Sequence, residues 1–348
     1  MPGAGLDPWY IENLVCPVDG TPLTYSDGEL GSAAGRRYPV VDGTPVMLMP
    51  EVQQTIGVAS ASLRRARGDA TVIDSRAPHL YLESLGISEE EKSRVLELAG
   101  RGDARVDPVA SMLVGATSGY SYKHMIGSMS SYPIPELRLE AGDGRRLLDL
   151  GCNWGRWCIA AARKGYDAVG IDPQLGAVKA AQRVAKQLGL APHYLVADAR
   201  YLPFRKGSFD VVFSYSVLQH LSKDDVKRVL SGIGRVLAPH GTSLVQMANA
   251  FGVRSLQHQA KRRFREAQEF EVRYWSVPEL KRVFSELIGS SEVEVDCFFG
   301  LGLQASDRPF MTTPLKGVID ASEALRSLAR FVHVLKYAAD SVYVRSVR

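Results

Sequence analysis

Three acids at strand ends carry the first chemical signal in this chain. Asp149 lies in the apolar run Leu147-Leu-Asp-Leu150, just before Gly151 and Gly155. Asp172 ends Ala168-Val-Gly-Ile171, and Asp198 with Ala199 follows Tyr194-Leu-Val-Ala197. Gly151 permits a tight turn, and Gly155 permits close packing at a helix start. A glycine turn alone is also found in dinucleotide-binding folds. The acids discriminate. One at the second strand end can accept both hydroxyls of a ribose. One at the third can accept the exocyclic amine of adenine. Ser214 ends a fourth run, Phe209–Ser214, which leads to His220 in a loop facing the same crevice.

Such acids would repel a pyrophosphate. They suit a ligand with an adenosine at one end and an ammonium and a sulfonium at the other, which is S-adenosylmethionine. The elements that must hold them alternate. Helices are expected over Gly155–Lys164, Leu175–Leu188 and from Ser222 to about Leu237, with strands between them and Ser243–Met247 after. That order implies an α/β fold with a doubly wound, mostly parallel sheet whose strand C-termini share one edge. Ser276-Val-Pro-Glu279 caps a further helix, and an apolar helix is read over residues 321–338. Val293–Phe299 and Ser341–Arg345 read as an antiparallel hairpin at the sheet edge.

The first 140 residues differ. Asp42-Gly43, between Arg37–Val41 and Val46–Met49, reads as a hairpin turn. Residues 51–106 look helical, with a capping box at Ser88–Glu91 and Gly100 and Gly102 ending that helix. Residues 107–140 look irregular. The full chain has 348 residues and a net charge of +4. Residues 1–140 carry 12 basic and 18 acidic side chains, whereas 141–348 carry 30 and 20. Five Lys/Arg and no acid fall within 254–265. Cys16, Cys152, Cys158 and Cys297 form no CxxC pair, so neither a disulfide framework nor a zinc ribbon is expected. No run of about 18 apolar residues predicts a membrane span. The start lacks the features of a signal peptide. A reducing cytoplasm is the expected location.

Other candidates have two readings each. His220 is a general base or substrate contact, or else a turn residue packed on Leu221. Tyr120, Tyr122, Lys123 and His124 line the pocket or form a solvated loop. Arg254, His258, Arg262 and Arg265 share a helical face by spacing. They offer an anionic-substrate or phosphate surface, or a membrane-surface contact, or else a solvated face balanced by Glu266, Glu269 and Glu271. Trp275 and Tyr274 are pocket aromatics or a hydrophobic staple. Cys152 and Cys158 read as buried small residues.

Residues 145–250 resemble class I SAM-dependent methyltransferases, in the group that includes ubiquinone/menaquinone-biosynthesis enzymes. The resemblance implies a seven-stranded class I sheet with a small β-rich and helical N-terminal appendage. It implies a first motif of Asp149, Gly151 and Gly155, a ribose site at Asp172 and an adenine site at Asp198 and Ala199. Asn153 replaces the middle glycine and is expected to reach the methionine moiety. Arg156 is expected to pair with the methionine carboxylate. Residues 14–50 resemble small zinc-ribbon methyltransferase activators, but Asp19 stands where a cysteine should, and the second pair is missing. No metal is expected.

The expected division is 1–50 degenerate ribbon, 51–140 lid and linker, and 141–348 methyltransferase domain with a basic insertion at 250–275. The expected reaction is methyl transfer to oxygen or nitrogen of a small-molecule, glycan or lipid-linked acceptor. The alternatives are RNA or protein methylation, and a non-catalytic scaffold.

Overall fold

The computed structural model of this protein describes residues 5–68, 97, 105–117, 121–125, 128–300 and 302–348. The chain opens with helix α1 (Pro8–Asn13) and a four-stranded antiparallel meander: β1 (Leu23–Ser26), β2 (Glu29–Ser32), β3 (Arg37–Val41) and β4 (Thr44–Pro45). The hairpin turn forms as expected, with Asp42 and Gly43 both at positive φ, 44° and 77°. Helices α2 (Gly57–Ala66) and α3 (Pro108–Thr117) follow. The main sheet then runs β5 (Arg146–Leu150), α4 (Arg156–Arg163), β6 (Asp167–Asp172), α5 (Leu175–Gln187), β7 (His193–Val196) and β8 (Phe209–Ser214). It continues with α6 (Lys223–Val236), β9 (Leu237–Ala248), α7 (Val253–Lys261), α8 (Val277–Leu287), β10 (Ser290–Cys297), α9 (Thr313–Ala329) and β11 (Ser341–Val347).

The seven strands are ordered β10-β11-β9-β8-β5-β6-β7. Strands β5 to β9 are parallel, and β11 is antiparallel to both neighbours. This is the doubly wound seven-stranded sheet expected from the sequence. The last two strands do pair, but β11 is interior, wedged between β9 and β10. Burial explains the placement. Ser341 to Val344 are all buried, as an interior strand requires, while β10 keeps Glu292 and Glu294 outside its covered face.

Two helices depart from the sequence reading. The apolar helix lies over Thr313–Ala329, with Pro314 in its first turn, rather than over 321–338. A separate 3₁₀ turn covers His333–Tyr337. Within 107–140, read as irregular, α3 forms a helix capped by Asp107, whose Oδ1 accepts the Ala110 N–H at 3.0 Å. Ala110 to Ala116 are all buried. A helix covered on every side shows no amphipathic period, so its pattern is silent. The helix read over Ser88–Gly102 lies, apart from Glu97, outside the described residues, as does Tyr120.

The N-terminal segment covers the β7 edge. Tyr10 Oη donates to Tyr194 O at 2.8 Å, Val15 N–H to Pro203 O at 3.0 Å and Met47 N–H to Val196 O at 2.7 Å. Trp9 stacks on His193 with ring centroids 4.0 Å apart. An otherwise open edge is thereby paired and blocked. Where the ribbon resemblance would place a cysteine, Asp19 Oδ1 accepts the Thr21 N–H at 2.9 Å and its hydroxyl at 2.6 Å. These two hydrogen bonds close the turn. The four cysteines are free and buried.

Leu14, Leu30 and Met47 share one core with Leu148, Leu150 and Val212. Leu14→Ala should therefore cost about 3 kcal/mol. Denaturant unfolding should show it as a shift of the single main transition. A separate early transition, with the main one unmoved, would show that the segment folds apart from the sheet.

Candidate functional site

The site is built on the turn between β5 and α4. The Gly151 and Cys152 amides both donate to Ile171 O, at 2.8 and 2.9 Å, which ties the turn to the end of β6. Gly151 has φ 76°, and a Cβ there would collide with the methyls of Val217. Gly155 has φ 86°, and its Cβ would lie 2.6 Å from the Tyr194 hydroxyl. Both positions therefore require glycine for conformation and for space.

Asp172 sits at the C-terminal end of β6. Its Oδ2 accepts the Asn153 N–H at 3.0 Å and its Oδ1 the Gln174 N–H at 2.9 Å. Burial pushes its pKa up to about 6, against those two bonds. Asp149 is fully buried. Its Oδ2 accepts from Cys158 Sγ at 3.4 Å, while Oδ1 has no partner. Burial, with Asp172 nearby, pushes Asp149 to about 7. Two buried carboxyls at this junction, one with an unpartnered oxygen, suit a ligand that brings hydroxyls and positive charge.

The remaining candidates are placed differently from one another. Asn153, at φ 49°, folds onto its own turn, its Oδ1 accepting the Trp154 N–H at 2.7 Å. Arg156 lies over the Trp157 ring and 3.7 Å from Asp307, and its Nε is buried without a partner. The Tyr122 hydroxyl donates to the same Asp307 carboxylate. Tyr122 and Arg156 are thus brought together on a buried acid that sequence reading missed. Asp198 accepts from Arg200 Nε and Nη2, the latter at 2.7 Å, and Ala199 lies between the two. Ser214 turns its hydroxyl into the sheet, donating to Leu150 O at 3.0 Å.

His220 closes a 3₁₀ turn after β8. Its ring stacks on Phe270 at 4.0 Å, and Nδ1 lies 2.7 Å from Phe270 O. A carbonyl only accepts, so Nδ1 carries the proton and Nε2 keeps its lone pair. Burial and the Arg273 charge push the pKa down to about 4, leaving the ring neutral at pH 7. Beside it, Gln219 is buried with its Oε1 unpartnered. Gln246, a polar residue in the apolar run of β9, holds the Ser216 N–H at 2.8 Å. That break in the run was a readable signal.

The basic insertion is not one helix face. Helix α7 ends at Lys261, and Arg263 and Phe264 have positive φ. Arg254 is exposed and donates to Gln257, whereas Arg262 lies over the Tyr274 ring and donates to Val272 O at 2.9 Å. His124 meets Phe310 O at 3.1 Å. Trp275 is buried ahead of the Ser276 cap, as a staple requires. Among the described residues, no group of three or more His, Cys, Asp or Glu could hold a metal, and no helix is long and apolar enough to cross a membrane.

Residues 147–241 match the family model described as a methyltransferase domain. The chain is 35% identical over 106 residues to a ubiquinone biosynthesis O-methyltransferase of Azorhizobium caulinodans, covering 30% of this chain and 41% of the relative. The corresponding protein of Sinorhizobium medicae is 30% identical over 166 residues, covering 48% and 62%. A norajmaline N-methyltransferase of Rauvolfia serpentina is 33% identical over 109 residues, covering 30% and 36%. The chain spans about four tenths of the length of the first curated relatives it matches. The matched stretch carries the three strand-end acids, Asp149, Asp172 and Asp198.

The raised carboxyls set a pH dependence. The folded chain holds protons on Asp149 and Asp172 that an unfolded chain, with carboxyl values near 4, has released. Their contribution to stability is therefore largest below about pH 4 and is lost as the pH rises through 6 and 7. Thermal midpoints at about pH 5 and about pH 8 measure this. The drop from the lower to the higher pH should be smaller in Asp149→Asn than in the wild type. An equal or larger drop in the variant would contradict the assignment.

Proposed function

We propose that the chain transfers the methyl group of S-adenosylmethionine to an oxygen or nitrogen of a small-molecule acceptor. The observation that carries this reading is Asp172, a buried carboxylate fixed by two backbone amides at the end of β6. Carboxylate oxygens so held keep lone pairs for a pair of ribose hydroxyls. The unpartnered Asp149 Oδ1, buried beside the turn, supports a cofactor bearing donors and positive charge. When bound, S-adenosylmethionine supplies a methyl carbon made electrophilic by its sulfonium and leaves as S-adenosylhomocysteine.

The chain's own residues position the reaction. Gly151 and Gly155 let the backbone approach the methionine end, and Asp149 accepts from it. Asp198 and the Ala199 main chain bound the adenine, with Arg200 fixing the carboxylate. Arg156, joined to Tyr122 through Asp307, closes the outer end of the turn. His220 offers Nε2 as a hydrogen-bond acceptor to the incoming hydroxyl or amine. Its low pKa suits orientation better than net proton uptake. Alignment of the nucleophile then supplies much of the rate.

The acceptor class rests on relatives named for methylating oxygen and nitrogen of small molecules. Within this scheme residues 141–348 are the catalytic part, 51–140 lid and link it, and 1–50 are a docking element that keeps a ribbon's turn without its metal.

Two measurements test the reading. Asp172→Ala should weaken S-adenosylhomocysteine binding by about 3 kcal/mol, roughly 100-fold, in titration calorimetry. Binding unchanged in that variant would refute the ribose assignment. Incubation with methyl-labelled S-adenosylmethionine and fractionated extract should place the label in small molecules. Label confined to RNA or protein would overturn the acceptor class.

A further inference from the structure

The insertion after β9 forms an open cleft of about 680 Å³. That volume falls within the range of small-molecule sites. Four cationic side chains line it: Lys261, Arg262, Arg263 and Arg265. One acid, Glu271, lines it too, and Arg265 takes up that charge in a two-pronged pair at 2.6 and 2.7 Å. Glu266 and Glu269, on the same loop, are not among its lining residues. Three positive charges are left without compensation. The side chains of Lys261 and Arg263 have no ion-pair or hydrogen-bond partner among the described residues. Arg262 is half-buried on the Tyr274 ring, and its Nε is buried without a partner.

The cleft adjoins the ligand edge of the sheet. Its wall residues Val272 and Tyr274 flank Arg273, whose N–H donates to Gln219 O and whose guanidinium donates to His220 O, both at 2.7 Å. Trp275, next in line, pairs with Ala248 and Ala250 at the C-terminal end of β9. The wall and the loop after β8 are therefore one hydrogen-bonded layer, on the edge that carries the three acids.

From this geometry we infer that the cleft binds a phosphoryl group carried by the methyl acceptor, an inference that rests on the methyltransferase reading. Three uncompensated cations match a dianion. The guanidinium fork of Arg263 can give two parallel N–H donors to phosphoryl oxygens, while Arg262, tied to Val272 O and the Tyr274 ring, adds a fixed positive charge. Tyr274 adds a hydroxyl, itself 3.3 Å from His258 Nδ1. The strand-end acids and this cleft divide the edge by charge, with the cationic cofactor on one side and the anionic acceptor on the other.

Inorganic phosphate and pyrophosphate, titrated into the full chain, test the assignment. Both should bind. The double variant Lys261→Gln/Arg263→Gln should bind them about tenfold more weakly, and Arg263→Lys, which keeps the charge but loses the fork, should fall between it and the wild type. S-adenosylhomocysteine should bind all three proteins alike. Sedimentation with phosphatidylglycerol vesicles identifies the source of the group: binding lost in the double variant supports the cleft and places the phosphoryl on a lipid. Absence of phosphate and pyrophosphate binding, or equal binding by the double variant, would overturn the inference while S-adenosylhomocysteine still binds. Failure of S-adenosylhomocysteine to bind the wild type, with phosphate behaving as expected, would instead remove the methyltransferase reading and leave the anion site standing.

Discussion

The Asp172 carboxylate, held by the Asn153 and Gln174 amides, is the constraint on which the rest of the site depends. Burying an acid is unfavourable unless its charge is met by donors. Here the donors are main-chain groups, one in the β5–α4 turn and one at the start of α5. Meeting that need fixes both turns relative to β6. The bonds from Gly151 and Cys152 to Ile171 O reinforce the same junction. Gly151 must then sit under Val217, and Gly155 against Tyr194. The left-handed glycines are consequences of a turn drawn tightly onto a buried acid. The two amides do not cancel burial: the carboxyl stays above its ordinary value. That residual cost leaves room for a ligand to stabilise the ionised form.

A second device links the N-terminal segment to this edge. Arg200 reaches Asp198, Asp225 at the start of α6, and the Gln53 carbonyl beyond the meander. One guanidinium therefore joins the third strand end, a helix of the main layer and the appendage. Together with the Met47 and Tyr10 contacts to β7 and Tyr194, it makes the appendage part of the wall beside Asp198. The opposite end is closed from the other direction, where Asp307 gathers Arg156 and Tyr122.

Local patterns in the sequence reported local facts well. The runs at 147–150, 168–171 and 209–214 became strands because parallel interior strands are apolar on both faces. Asp42-Gly43 specified its own turn. Ser276 capped its helix through the Glu279 amide. What stayed hidden depends on partners far along the chain. Nothing local says that Leu14 and Met47 cover β7, that β11 slips between β9 and β10, or that Arg156 meets an acid about 150 residues away. Helix α3 was missed for the opposite reason, since uniform burial erases the period that marks a helix. The site divides the same way. Asp149, Gly151, Gly155 and Asp172 fall together as their spacing implied. Arg265 left the expected face because the chain turns left-handed at Arg263 and Phe264. The Asn153 Oδ1 and the Ser214 hydroxyl are spent within the fold.

The net charge of +4 conceals an edge with two characters, acids at the strand ends and uncompensated cations on the insertion beside them. The central claim is that the acids form a cofactor site centred on Asp172. A crystal structure of the full chain grown with S-adenosylhomocysteine tests it most directly. The ribose hydroxyls should lie within hydrogen-bond distance of the Asp172 carboxylate, with the adenine beside Ala199 and the Asn153 and Gln174 amides still in place. A nucleoside bound elsewhere, or an Asp172 that makes no contact with it, would contradict the account.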